Sequence, residues 1–202
     1  MSIVFYWHPQ SSASPIACAL AELQVPHERV KVDIRAGEQR RPEFLALNPN
    51  GKVPTLTVDG APMFEALAIH LWLGENWGVK QGLWPVAGTP ERLAALSWCA
   101  WAYVTYGAVL SRLFLTTYGD EQIRDAGQAA RATADLDSLL GLLDADLARQ
   151  PWMLGGEYSL ADLVVGSVVG YSAMVGAPVA AHPKVQAWLG KVKSRPAMQG
   201  EV

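Results

Sequence analysis

Asn48-Pro49-Asn50-Gly51-Lys52-Val53-Pro54-Thr55-Leu56 is the stretch whose reading decides the fold. Asn48-Pro49 and Asn50-Gly51 are both turn signals. Val53 to Val58 is rich in β-branched residues, as strands are, and Pro54 opens that strand, where a missing N–H costs the ladder nothing. Asp59-Gly60 then closes a two-residue hairpin of the kind that needs positive φ. The returning strand is Ala61 to Phe64, and Glu65 stands at the mouth of a helical pattern. A Val-Pro step entering an edge strand leaves the Val53 backbone N–H and C=O without partners in their own strand. An extended, peptide-like ligand can pair with both by strand addition. A carboxylate on that ligand can meet Lys52 and the helix N-terminus behind Glu65.

Working outward, Ile3 to Trp7 is an apolar run short enough for a buried strand. His8 to Ser12 is a polar loop, and Ser14-Pro15 reads as a helix start with Ser14 as N-cap. Ile16, Ala19, Leu20 and Leu23 follow at helical spacing up to Pro26. Arg29 to Ile34 alternates, with Val30, Val32 and Ile34 on one face. Strand, helix and strand in so short a span predict a βαβ unit with a right-handed crossover. Pro42 to Leu47 and Ala66 to Trp77 read as helices. Residues 79–88, rich in glycine and without periodicity, read as a linker between an α/β domain at 1–78 and an all-α domain at 89–202. In that second domain Thr89-Pro90-Glu91 caps a helix to about Thr117, and Glu121 to Gln150 carries a leucine stripe. Ser159-Leu160-Ala161-Asp162 is a capping box, read as structural. It opens an all-round apolar helix, Leu160 to Met174, and Pro183 to Ser194 reads as the last helix.

Composition sets further bounds. The chain has 202 residues, 50% hydrophobic and 17% charged, with a formal net charge of −3. Nothing there suggests a nucleic-acid partner held by phosphate electrostatics. Cys18 and Cys99 lie in apolar helical patterns and read as small buried hydrophobes, with no disulfide framework and no metal site expected. The N-terminus lacks a basic n-region and an h-region, and no uncharged apolar run of membrane-spanning length is expected. These features together predict a soluble, cytoplasmic protein.

The central motif, Asn-Pro-x-Gly-x-Val-Pro-Thr-Leu, then Asp-Gly, then Glu opening a helix, resembles the glutathione transferase family, in particular bacterial cytosolic members. The order βαβ, helix, ββ, helix, followed by an all-helical region with a Ser-x-x-Asp box, is similar to that family along essentially the whole chain. The resemblance implies a thioredoxin-like domain followed by a helical bundle, with glutathione as co-substrate and a homodimeric assembly. It implies conjugation of the glutathione thiolate to a small hydrophobic electrophile, as in detoxification, or a binding protein of that fold that has lost catalysis. The resemblance also implies a cis Val53-Pro54 bond.

Matched residue by residue, the family pattern assigns Gln39 and Lys52 to the glycyl end of glutathione and the Val53-Pro54 backbone to its cysteinyl part. Glu65-Ala66 falls at the γ-glutamyl end. Ala66 departs from the usual Ser or Thr, so a hydroxyl donor to the γ-glutamyl carboxylate is missing. Three hydroxyls can activate the thiol: Ser11 first, then Tyr6, then Ser12. No cysteine sits in that loop. Trp98, Trp101, Tyr103 and Tyr106 crowd the first long helix and mark the candidate pocket for the second substrate, though aromatics at helical spacing are more often core or dimer contacts.

Overall fold

The computed structural model describes residues 1–200. They form two compact units, Met1–Leu83 joined by residues 196–200, and Trp84–Arg195. The first unit is built on a four-stranded sheet in the order β2-β1-β3-β4. Its strands are β1 (Ile3–Trp7), β2 (Glu28–Lys31), β3 (Thr55–Val58) and β4 (Ala61–Phe64). β1 and β2 run parallel, as the helix α1 (Ser14–Glu22) between them requires, and the other pairs are antiparallel. Ile3, Phe5, Ile16, Leu20, Leu56, Ile69 and Leu73 are buried and make its core. α1 packs on α3 (Ala66–Leu73), whereas α2 (Pro42–Leu45) lies against the face that carries Tyr6.

The second unit is helical: α4 (Pro90–Ala100), α5 (Gly107–Tyr118), α6 (Ala126–Leu147), α7 (Leu160–Met174) and α8 (Pro183–Lys193). α7 is its buried centre, as its all-round apolar sequence requires. The Asp162 carboxylate at its start accepts from Ser159 N–H (2.9 Å), Met153 N–H (2.8 Å) and Trp188 Nε1 (2.8 Å). One side chain therefore ties the α7 entrance to the preceding loop and to α8.

Several boundaries differ from the sequence expectation, each for a local reason. Ser14 is the first helical residue and Ala13 the N-cap, because Ser11 upstream braces the turn. β2 begins one residue early and ends at Lys31, and Ile34 lies in a loop where Asp33 Oδ1 accepts from the Arg35 and Ala36 N–H groups (3.0 Å each). α2 ends at Leu45, and β3 starts at Thr55, after the Val53-Pro54 bond, which is cis as expected. α6 starts at Ala126, because Asp125 accepts from Gln128 N–H (2.9 Å) and caps it there. The long helix from Pro90 is interrupted by a π-helical turn, Trp101–Tyr106, that separates α4 from α5.

The stretch expected as a linker is ordered as well. Gly74–Gly78 continues α3 as a π turn, Val79–Gln81 is a 3-10 turn, and Gln81 Nε2 donates to Leu23 O (2.9 Å) within the first unit. Trp84 is buried in the second unit under Arg92, 5.0 Å from its ring centre. The units therefore meet in sequence at residues 83 and 84, and residues 196–200 return to the first unit.

The expectation of no long uncharged apolar run fails. Residues 93–111 contain no charged side chain. The helix over Pro90–Tyr118 holds a window of mean hydropathy 1.4, which is long and apolar enough to cross a membrane by length and composition. Interspersed Ser, Thr, Tyr and Trp residues hide that run from a reading that looks for aliphatic blocks.

Candidate functional site

The register of the sheet gathers the candidate residues at one end of the first unit. Thr55 lies opposite both Tyr6 and Phe64, so Val53-Pro54, the end of β1 and Glu65 come together there. The bend before Pro54 is held by Asn48, whose side chain is only 2% exposed. Its Nδ2 donates to Lys52 O (2.7 Å) and to Thr55 Oγ1 (3.1 Å), and its Oδ1 accepts from Asn50 N–H (3.0 Å). Val53 N–H has no acceptor among the described residues, so one of its two strand-pairing groups is open.

The three hydroxyls sit in different surroundings. Ser12 Oγ donates to Val53 O at 2.8 Å, which places it against the backbone where an added strand would lie. Ser11 Oγ donates to His8 O (2.6 Å) and accepts from Ala13 N–H (3.1 Å). A carbonyl can only accept, so both hydroxyl protons are committed in this state. Tyr6 is directed to the α2 face, where its ring meets Phe44 edge-on at 6.0 Å. The structure thus brings Ser12 to Val53, makes Ser11 a brace of the loop, and sets Tyr6 in a different cleft.

At the other end of the motif, Glu65 holds φ 72° and ψ 116°, outside the regions favoured by L-residues, and is the N-cap of α3. Among the described residues no side chain caps this helix, so its first N–H groups, from Ala66 onward, are without hydrogen-bond partners there. The Gln39 backbone comes close to Gly51, the residue before Lys52, and Gly51 has φ +58°. A Cβ there would stand 2.9 Å from Gln39 O and 2.9 Å from Arg40 Nη1, so only glycine fits. Gln39 Nε2 donates to Ile34 O (3.1 Å), and its Oε1 is buried without a hydrogen-bond partner among the described residues. Lys52 is exposed. Arg40, which the motif reading passed over, extends Nη1 to Asn50 O (3.4 Å) beside Lys52. Its signal was weak: one arginine in a run of charged residues, placed here by the glycine.

In the helical unit the end of α4 carries Trp98, and the π turn carries Trp101, Tyr103 and Tyr106. Trp98 and Trp101 meet edge-on at 5.2 Å, and Trp101 and Tyr106 are tilted at 5.2 Å. Tyr106 departs from the role expected of it. It is fully buried, and its hydroxyl lies 2.6 Å from Ser172 Oγ, whose own proton goes to Val169 O (2.7 Å). Burial holds the Tyr106 hydroxyl up at about 12. Tyr106 is therefore a core residue of the bundle. Tyr103 also has a raised pKa, through burial first and the nearby Cys99 second. Trp98, Trp101 and Tyr103 are half-buried and remain the accessible part of the set. Both cysteines are free, and burial pushes the Cys99 thiol up to about 12, so neither is an accessible thiolate. No group of three or more metal-ligating side chains gathers among the described residues.

Residues 12–76 match the family model for the glutathione S-transferase N-terminal domain, and residues 126–191 match that for its C-terminal domain. The disulfide-bond oxidoreductase YfcG of Escherichia coli is 31% identical over 96% of this chain and 92% of that protein. The chain belongs to the glutathione S-transferase family. Glutathione S-transferase GstB of Escherichia coli is 29% identical over 94% of this chain and 91% of its own. Among solved structures, a glutathione transferase of Methylococcus capsulatus is 27% identical with a TM-score of 0.83, covering 98% of this chain and 95% of that one. A glutathione transferase family member of Pseudomonas fluorescens, solved with two glutathione bound, is 25% identical with a TM-score of 0.82, covering 98% and 90%. The glutathione S-transferase fold, a thioredoxin-like unit followed by a helical bundle, is the fold described above.

Proposed function

We propose that this chain binds glutathione along the Val53 backbone and transfers its thiolate to a small hydrophobic electrophile. The observation that carries the reading is Ser12 Oγ held 2.8 Å from Val53 O beside an unpaired Val53 N–H. The cysteinyl part of glutathione pairs with that N–H and C=O as an added strand. Its N–H then takes over the Val53 carbonyl, and the Ser12 proton is free to turn to the sulfur. A free thiol ionises at about 8.5, and a hydrogen bond to the thiolate lowers that value. The thiol proton leaves to solvent, and the sulfur forms its bond to the electrophilic carbon as that carbon's bond to a leaving group breaks, the leaving group departing with the electron pair. The γ-glutamyl carboxylate lies at the uncapped start of α3, with Glu65 facing its ammonium, and Gln39, Arg40 and Lys52 surround the glycyl carboxylate.

A second reading is glutathione-dependent disulfide reduction, favoured by the name of the Escherichia coli relative YfcG. Retention of glutathione without turnover is the third, favoured by Ala66, which offers no hydroxyl to the γ-glutamyl carboxylate. Calorimetric titration with glutathione, run beside a conjugation assay and a disulfide-reduction assay, separates them. Binding with conjugation supports the first reading, binding with disulfide turnover alone the second, and binding with neither the third. No binding ends all three.

The assembly we propose is a homodimer in a reducing cytoplasm, where free cysteines persist. Leu93 and Val104, each 67% exposed, lie with exposed Ser97 and Ala100 along one uncharged helical face, the kind of surface that a second copy covers.

A further inference from the structure

Strand β2 is one edge of the four-stranded sheet. Val32 N–H donates to Trp7 O at 2.8 Å, which fixes the phase of the parallel ladder with β1. Glu28, Val30 and Val32 therefore turn their backbone groups to β1, and Arg29 and Lys31 turn theirs outward. Those outward N–H and C=O groups have no hydrogen-bond partner among the described residues. Asp33, next in the outward series, already gives its N–H to Glu38 Oε2 (2.8 Å), so the open edge spans 29–31.

The two faces of this edge differ. Register sets Val30 beside Tyr6, and their face opens on a cleft of about 470 Å³ floored by Tyr6, Val30, Val32, Phe44 and Leu47. Lys31 borders the cleft too, but register sets its side chain beside Trp7 on the other face. What Lys31 gives the cleft is its main chain, so the apolar floor runs out to the open strand edge. On the other face Arg29 and Lys31 are both exposed, with the Arg29 guanidinium 3.9 Å from the centre of the Trp7 ring. Neither forms an ion pair among the described residues. Glu28 falls on the cleft face, and Asp33 lies past the end of the strand.

These charges select the occupant. Two copies of this edge pairing antiparallel about Val30 would set Arg29 opposite Lys31, cation against cation, which disfavours self-pairing. An added strand of opposite charge meets no such repulsion. In antiparallel addition the residues opposite Arg29 and Lys31 share their face, and the residue between them, opposite Val30, points into the cleft. Carboxylates suit the first two positions and a neutral aromatic ring suits the third.

We propose that the β2 edge is a docking site for an extended acidic segment of a partner protein with the alternation acid, aromatic, acid. The segment adds to the sheet as an antiparallel strand. Its carboxylates lie beside Arg29 and Lys31, and its ring enters the cleft against Tyr6 and Phe44, which meet edge-on at 6.0 Å. The site is separate from the Val53 backbone and needs no glutathione.

The test is calorimetric titration of the full chain at low salt with the end-capped peptide Gly-Glu-Phe-Glu-Gly. A strand this short binds with a dissociation constant of about 0.5 mM. Gly-Glu-Ala-Glu-Gly binds about tenfold more weakly, having no ring to bury. N-methylation of both glutamate nitrogens, whose N–H groups donate to the Arg29 and Lys31 carbonyls, abolishes binding. N-methylation of the phenylalanine nitrogen, which faces solvent, leaves it. Lys31→Glu keeps the Arg29–Trp7 stack and weakens the acidic peptide about fivefold, through the lost attraction and the new repulsion. Arg29→Glu with Lys31→Glu reverses the preference, so that Gly-Lys-Phe-Lys-Gly binds and the acidic peptide does not; unchanged melting temperatures show that both variants fold. No heat at tenfold above that constant overturns the proposal. So does equal binding of the acidic and basic peptides by the wild type, and so does binding that survives N-methylation of the glutamates.

Discussion

Ser12 and Asn48 divide the labour at the Val53 backbone: one side chain touches it, and the other shapes the bend that presents it. Ser12→Ala should lower turnover more than tenfold in a conjugation assay while hardly moving the melting temperature. Ser11→Ala should do the reverse, because its hydroxyl holds two backbone groups of the loop. Equal losses of turnover in both would remove the distinction drawn between them. Asn48→Ala leaves Asn50 N–H without its partner and Lys52 O with the Thr55 hydroxyl alone. With net values of about 1 kcal/mol per bond, the variant should melt roughly 5–10 °C lower, and glutathione should bind more weakly in a titration near 20 °C. Ala66→Ser adds a donor at the α3 N-terminus. A hydrogen bond to a charged group contributes about 1.5–3 kcal/mol, so glutathione should bind tenfold or more tightly, as judged by calorimetry. The candidates at Val53, Glu65 and the serine loop could be read from the sequence because turn residues and a Val-Pro step have local signatures. The surroundings of the three hydroxyls could not, since they depend on which carbonyl each proton reaches in space. Arg40 was hidden for the same reason.

Helix α3 puts a histidine in the core of the first unit. Burial holds the His70 pKa down at about 3, against an ordinary value of 6.5. Its imidazole is therefore neutral in the folded chain, and only the unfolded chain takes up its proton between those values. The stability tied to His70 is intact above pH 6.5 and is lost progressively as pH falls toward 3. Thermal melts from pH 7 to 4 should show a steep decline in the wild type and a shallower one in His70→Asn; parallel curves would contradict this account. At the scale of elements the sequence was legible wherever a cap or a period spoke. Leu160–Met174 and Ala61–Phe64 fall where their patterns put them. The π turns at 74–78 and 101–106 were not legible, because an extra residue per turn leaves the apolar spacing almost unchanged. The start of α6 was missed because Asp125, and not the run of polar residues before it, supplies the cap.

The face marked by Leu93 and Val104 decides the assembly we propose. Val104→Glu places a charge on it, and light scattering at micromolar concentration should show a monomer where the wild type is a dimer. A monomeric wild type would end that reading. The order of elements gave the two-unit architecture in sequence, whereas the exact crossing did not show, because Trp84 belongs with Arg92 and not with the glycines beside it. The return of Pro196–Met198 to α1 was equally silent, since three residues without periodicity carry no pattern. That return changes what can be cut from the molecule. The helical unit is a long excursion that leaves the first unit and comes back to it, so no single continuous fragment contains the whole thioredoxin-like half. A fragment ending at residue 83 would bare the side of α1 that Pro196–Met198 covers. A synthetic peptide spanning residues 194–200 should then raise its melting temperature when added in trans, behaving toward the fragment as a ligand does toward its receptor.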